Sequence, residues 1–255
     1  MNLTVDNLIA ELSRVVWSMF RIGGFFMVVP VIGSQLVPPR VRVTLTLATA
    51  IAIAPVMPHM PAVNELDLTL GIEAITQTAI GMGLGFCTIV FFQLFVVAGQ
   101  FIAMQMGLGF AAMVDPTNGV SVTVLSQFFL MMVSLTFVAM NGHLVLLDVL
   151  IEGFKRIPVG IEGSMAEAAW QIAALGGWMF SGAVLIALPA VTALLVVNLS
   201  FGVMSRAAPQ LNVFSLGFPF ALVFGLGIIW VSLYGFAPQF ETLSQSFFDF
   251  TRRWA

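Results

Sequence analysis

Residues 74–114 read AITQTAIGMGLGFCTIVFFQLFVVAGQFIAMQMGLGFAAMV, 41 consecutive positions without an Asp, Glu, Lys or Arg. A helix needs about 20 apolar residues to cross a bilayer, so this stretch holds a whole crossing with residues to spare. A membrane barrel needs short alternating segments instead, and the run is continuous. The stretch therefore predicts an all-α membrane protein.

The rest of the chain repeats the pattern. Charge-free gaps also run from Asp115 to Asp148, from Glu167 to Arg206 and from Arg206 to Glu241. Two more apolar segments precede them, 15–33, interrupted by Arg21, and 43–57. The reading is about six hydrophobic helices, near 15–33, 43–57, 74–98, 124–147, 171–200 and 216–237. Breaks separate them: Pro38-Pro39 with Arg40 and Arg42, the series Pro55, Pro58 and Pro61, the turn cluster Asp115-Pro116-Thr117-Asn118-Gly119, the loop 157–163, and Pro209 with Gln210 and Asn212. Pro189 falls inside the fifth segment, where a kink is expected.

Composition gives the same answer. Of 255 residues, 60% are hydrophobic and 8% charged, against about 25% charged in soluble domains. Mean hydropathy is +1.05. Such a chain cannot clothe itself in water, which excludes a soluble monomeric enzyme and a disordered chain. It has no basic face for nucleic acid. The lone Cys87 allows no internal disulfide. Asp6 and Glu11 come first among the charges, unlike a secretory signal, so the first residues are expected to be retained.

Both ends read as interfacial. Val5, Leu8, Ile9, Leu12 and Val16 share one helical face, and Phe247, Phe248, Phe250 and Trp254 accompany Arg252 and Arg253, which can snorkel. With six crossings, Arg14, Lys155, Arg156, Arg252 and Arg253 lie on one side and Arg40, Arg42 and Arg206 on the other. Five against three favours both termini in the cytoplasm.

Catalytic chemistry is nearly absent. His59 and His143 have no metal-ligand spacing, and no nucleotide-binding or nucleophile motif occurs. The run Gly81-Met82-Gly83-Leu84-Gly85 follows no strand. Gly81 and Gly85, four apart, instead present a bare backbone face to a neighbouring helix. Arg21, Glu73, Asp115 and Asp148 are ionisable groups in apolar surroundings, where each is expensive. Arg21 and Asp148 read as inter-helix partners or helix-end groups. Glu73 sits near a helix start and suits its dipole. Glu73 or Asp115 would be the coupling site if the chain were a secondary transporter with discontinuous helices. No internal symmetry supports that alternative.

The most informative stretch is Gly99-Gln100, then Gln105-Met106-Gly107-Leu108-Gly109-Phe110-Ala111-Ala112-Met113-Val114-Asp115-Pro116. It is apolar, yet its glycines and Asp-Pro oppose a continuous helix. Irregular backbone at membrane depth requires burial in protein or a cavity to line. Met104, Met106 and Met113 add side chains that reseal around variable shapes.

This stretch resembles the central loop of the FliR family of flagellar type III export-gate subunits. So do Asn198-Leu199-Ser200-Phe201-Gly202, Arg206-Ala207-Ala208-Pro209-Gln210-Leu211-Asn212-Val213-Phe214 and Gly217-Phe218-Pro219, together with Pro30, Gly33 and the Val37-Pro38-Pro39-Arg40-Val41-Arg42 turn. The resemblance covers essentially the whole chain and lies nearer the flagellar than the injectisome branch. It implies a non-enzymatic subunit, without cofactor, metal or nucleic acid, at the bacterial inner membrane in the flagellar basal body. Its implied partners are FliP, FliQ, FlhB, unfolded export substrates and membrane lipid.

The resemblance further implies bent hairpins raised from the bilayer plane, with a FliP-like part over about 1–165 and a FliQ-like hairpin and tail over about 166–255. The implied pore plug comprises Met106, Gly107, Leu108, Gly109, Phe110, Ala111, Ala112, Met113 and Val114. Asp115 and Pro116 shape its turn, and Phe110 is its main stopper. Arg206, Pro209, Gln210 and Asn212 are candidates for contacts between subunits. A capped break within one chain accounts for these four residues equally well.

Overall fold

In the computed structural model, residues 5–34, 37–57, 60–61, 68–109, 123–160, 165–207 and 213–254 are described. Among them the structure is helical, without a strand. The helices are α1 (Val5–Val28), α2 (Pro39–Ile53), α3 (Leu68–Gln105), α4 (Val124–Ala139), α5 (Gly142–Arg156), α6 (Met165–Ala207), α7 (Val213–Ser232) and α8 (Phe236–Trp254). Four helical stretches are long and apolar enough to cross a membrane: Pro39–Val56, Leu68–Gln105, Glu167–Ala207 and Gly217–Trp254. Counting the bent pair α4–α5 as one crossing raises the number to five.

The apolar segments read from charge gaps are all helical, but several boundaries differ. The amphipathic start and the first apolar segment form one helix, α1, because no breaker separates them. The segment near 124–147 is instead two helices, bent by 68°. Asn141 makes the corner in the left-handed region, at φ 57°, a conformation Asn tolerates better than most residues. α6 runs on through Pro189. At the first turn, Pro38 precedes α2 and Pro39 occupies its first position, where a missing N–H costs nothing. Arg42 donates to the carbonyls of Ser34 and, at 3.1 Å, Val37, which fastens that turn.

The chain divides into two compact units. One comprises residues 1–90, 140–175 and 246–255, the other 91–139 and 176–245. The division also sorts charge: of the 21 Asp, Glu, Lys and Arg residues, only Asp115, Arg206 and Glu241 fall in the second unit.

In the first unit, α1 and α3 approach at backbone distance. A Cβ on Gly81 would overlap the Arg21 carbonyl, one on Gly24 the Thr78 carbonyl, and one on Gly85 would stand 2.9 Å from the Val28 Cβ. This is the close contact expected of the Gly81/Gly85 pair. It also brings Arg21, fully buried, into a polar cluster. Its Nε donates to Gln77 Oε1 at 2.7 Å and its Nη2 to the Ile157 carbonyl at 2.7 Å. The guanidinium lies 3.9 Å from the centre of the Phe154 ring. Gln77 Nε2 then donates to Glu73 Oε1 (2.7 Å), which also accepts from the Gly160 N–H (3.0 Å). Arg21 is thus an inter-helix partner, as expected, and Glu73 ties the 157–160 loop to α3. Asp148 is exposed in the middle of α5, so its charge stays out of the core.

The core of the second unit is aromatic. Phe91 meets the rings of Phe95, Phe137 and Phe240 at centroid distances of 5.6, 6.4 and 5.6 Å, and Phe95 meets Phe236 at 5.6 Å. Geometries are mostly tilted or edge-on, which the ring quadrupoles favour. α6 buries the stripe Ala183, Ala187, Ala190 and Leu194. α7 buries Gly217, Ala221, Gly225 and Ile229, spaced by four. Both helices therefore bury mostly small residues and leave large ones outward, including Leu185, Leu195, Leu199, Val223, Leu226 and Trp230. That outward surface needs lipid or another protein against it.

Candidate functional site

The site lies in the second unit, where α3 ends and the central stretch begins. α3 stops through its own backbone. Gly107 N–H donates to the Met104 carbonyl (3.1 Å) and Leu108 N–H to the Ala103 carbonyl (2.9 Å), the paired bonds of a Schellman motif. Gly107 takes the left-handed position at φ 83°, which any side chain would strain. The Gln105-Met106-Gly107 run is therefore a helix stop written in one glycine.

Two side-chain contacts fix this stop. The Met106 side chain is fully buried against α7, where a Cβ on Gly225 would stand only 2.6 Å from its Cγ. Asn198, on α6, donates through Nδ2 to the Gln105 carbonyl at 3.1 Å. This bond supplies a partner to one of the carbonyls that a helix end leaves open. The two stretches that carry the family resemblance, 105–116 and 198–202, thus meet at this bond.

The far end of the central stretch is pinned separately. Gln100 Oε1, one helical turn and a half before the stop, accepts from Thr123 Oγ1 and Ser126 Oγ, both at 3.1 Å. The Thr123 and Ser126 hydroxyls are themselves 3.0 Å apart. At Gly99 the backbone of α4 comes close, with a Cβ there 2.9 Å from the Ser126 Cα. The chain is consequently fastened at Gly107, where α3 ends, and again at Thr123, just before α4.

Of the expected plug, Met106, Gly107, Leu108 and Gly109 lie at the α3 end. The Met106 side chain is buried near Gly225 of α7, whereas Met104 is exposed. Phe110, Ala111, Ala112, Met113, Val114, Asp115 and Pro116 lie outside the described residues. Pro209, Gln210 and Asn212 lie outside them as well, and Arg206 is exposed in the last turn of α6. His143 is exposed on α5, and His59 is outside the described residues.

Gln100, Thr123, Ser126, Asn198 and Gly225 were not among the site residues expected from sequence. Gln100 and Asn198 carried a signal, because an amide inside an apolar helix calls for a partner. Their partners were not legible, since they lie 23 and 93 positions away in the chain. Chemically, the site offers amides, hydroxyls and apolar side chains and no charged group among its described residues. It suits fastening the chain within an apolar wall.

The family model for bacterial export proteins, family 1, matches residues 12–247. The chain is 32% identical to the flagellar biosynthetic protein FliR of Escherichia coli strain K12 over 251 residues, 98% of this chain and 95% of that protein. It is 31% identical to the protein of the same name from Pectobacterium carotovorum over 239 residues, 93% of this chain and 90% of that one. The Bacillus subtilis FliR protein shares 31% identity over 206 residues, 78% of each chain.

Proposed function

This chain belongs to the bacterial export proteins of family 1, the family of the FliR flagellar biosynthetic proteins, and we propose that it forms part of the flagellar protein-export gate. It is a membrane component of the flagellar export apparatus. On our reading it joins FliP and FliQ around a pore for unfolded substrate proteins, contacts FlhB, and resides in the inner membrane at the flagellar basal body. Residues 106–116 plug the closed pore, with Phe110 as the stopper. The protein is not an enzyme; energy for export comes from other subunits.

One observation supports the plug above all. An apolar segment of about the right length to fold into a lumen is held at both ends, by the Gly107 stop and the Gln100–Thr123–Ser126 knot, in a unit almost without charge. A seal needs fixed ends and a soft middle. The apolar outer faces of α6 and α7 support burial against other subunits, and these two consecutive apolar helices, whose Phe201 and Phe220 rings meet at 5.5 Å, suit a FliQ-like part over 166–255 joined to a FliP-like part over 1–165. Arg206, Pro209, Gln210 and Asn212 contact a neighbouring subunit on this reading.

Two experiments test this. Native mass of the complex co-expressed with its neighbouring secretion genes should give a discrete hetero-oligomer holding one copy of this chain; a monomer or homodimer alone would refute the gate. Deleting residues 107–114, or replacing Phe110 with Ala, should raise ion leakage through the assembled closed gate. Unchanged conductance would refute the plug while leaving gate membership standing.

A further inference from the structure

Four of the nine basic residues of the chain, Lys155, Arg156, Arg252 and Arg253, sit in the last turns of α5 and α8. Both ends belong to the first unit, and all four side chains are exposed. The two ends touch: the Arg156 guanidinium donates to the Arg252 carbonyl. Arg253 Nε turns back to the Asp249 carbonyl at 3.2 Å. Arg156 thus caps an open carbonyl of α8, and Arg253 folds back onto its own helix, a sufficient reason for these two basic residues at a helix C-terminus. Lys155 and Arg252 are surplus to that task. Neither side chain makes a hydrogen bond or ion pair among the described residues, where the ion pair found is Arg14–Glu11.

The patch is also rigidly seated. Trp254 is buried, its indole N–H donates to the Ala168 carbonyl at 3.2 Å, and its ring lies over Gly83 and beside Ile172. The basic turns therefore stand at a fixed border, with an anchored tryptophan and apolar helices on one side and open cationic heads on the other. Long cationic side chains with apolar stems in that position reach into a headgroup layer. Glu152 and Asp249 lie one turn earlier on the same helices, so the cations are outermost.

We propose that the adjoining C-terminal turns of α5 and α8 form a binding site for an anionic phospholipid, with Lys155 and Arg252 holding its phosphate and the Arg156 and Arg253 guanidiniums flanking it. Each cation near an anionic surface contributes about fivefold to affinity. The site fits the leaflet on the side to which the sequence assigns most of the positive charge, and it goes beyond the gate reading without depending on the plug.

The test uses the full chain in a mild neutral detergent, titrated with phosphatidylglycerol or with phosphatidylcholine and followed by native mass spectrometry. Phosphatidylglycerol should be retained preferentially, and less so at 500 mM salt, where the Debye length is about 4 Å, than at 50 mM, where it is about 14 Å. The variant Lys155→Gln/Arg252→Gln keeps every hydrogen bond described above and should weaken retention about 25-fold, the product of two fivefold losses. Arg40→Gln, an exposed cation elsewhere in the unit, should leave it unchanged. Helix content by circular dichroism confirms that the variants fold. Equal retention of the two lipids, or equal loss in the Arg40→Gln variant, would overturn the proposal. So would displacement of the lipid by millimolar inorganic phosphate, which would make the site one for free anions.

Discussion

Arg21 spends its charge inside the protein. Its guanidinium is shared between Gln77, the Ile157 carbonyl and the Phe154 ring, so removing it strands two buried acceptors. Arg21→Leu should therefore cost about 3–5 kcal/mol of stability, measured by denaturant unfolding in detergent. The double variant Arg21→Leu/Gln77→Leu should recover part of that loss, because it removes an unpaired partner as well. Strictly additive losses would mean the two residues do not act together. Gly81 is less forgiving still. Gly81→Val puts atoms where the Arg21 carbonyl stands, so α1 and α3 must part; the expected result is loss of folded protein on size-exclusion chromatography. At Gly107 the penalty is conformational, about 1–2 kcal/mol for Gly107→Ala from the left-handed backbone alone, read as a lowered Tm.

At the scale of elements, the helices were legible and their ends were not. Long charge gaps announce apolar helices because every charge in lipid is costly, and α3, α4, α6 and α7 fall largely where those gaps lie, whereas α1, α5 and α8 carry charges. Their junctions depend on weaker signals. The α4–α5 corner at Asn141 lies inside an apolar run, and one left-handed residue leaves little trace in hydropathy. The candidate site was legible in part for the same reason. Glycine at 107 and the apolar segment after it stand out locally, whereas Asn198 and Gly225 reach the site only through tertiary packing. The loop ends make a prediction at this scale. Gln100→Leu deprives Thr123 and Ser126 of their shared acceptor, at about 1–3 kcal/mol for the buried groups left unpaired. Cleavage between 108 and 122 by added protease should then accelerate in the solubilised protein, while α1 and α2 stay intact. An unchanged cleavage rate would show that the knot does not hold the loop.

Across the whole molecule, charge is partitioned rather than merely scarce. Three charged residues serve the unit built from 91–139 and 176–245, and composition summed over the chain conceals this, because both units draw on separated stretches of sequence. Hydropathy likewise reports that a face is apolar without saying whether lipid or protein covers it. The outward face of α6 separates the two. Leu199→Lys should cost about 2.5–3.5 kcal/mol of insertion if lipid meets this residue near the bilayer centre; if a neighbouring subunit covers it, the chain inserts normally and the hetero-oligomer fails to form. Membrane fractionation of the chain alone, beside native mass of the complex, distinguishes these outcomes.

The stop at Gly107 is made of main-chain bonds, and the residues that brace it, Met106 and Asn198, like Gln100 at the far end, all precede or lie apart from residues 110–116. Sequence inside the loop can therefore drift without disturbing the helices that carry it. If residues 106–116 plug the pore as proposed, the stretch is an exchangeable cassette: grafting the corresponding residues of a relative between Gly107 and Thr123 should transplant that protein's closure properties onto an unaltered frame. On that reading, selection can adjust how tightly the passage shuts while leaving the described helices untouched.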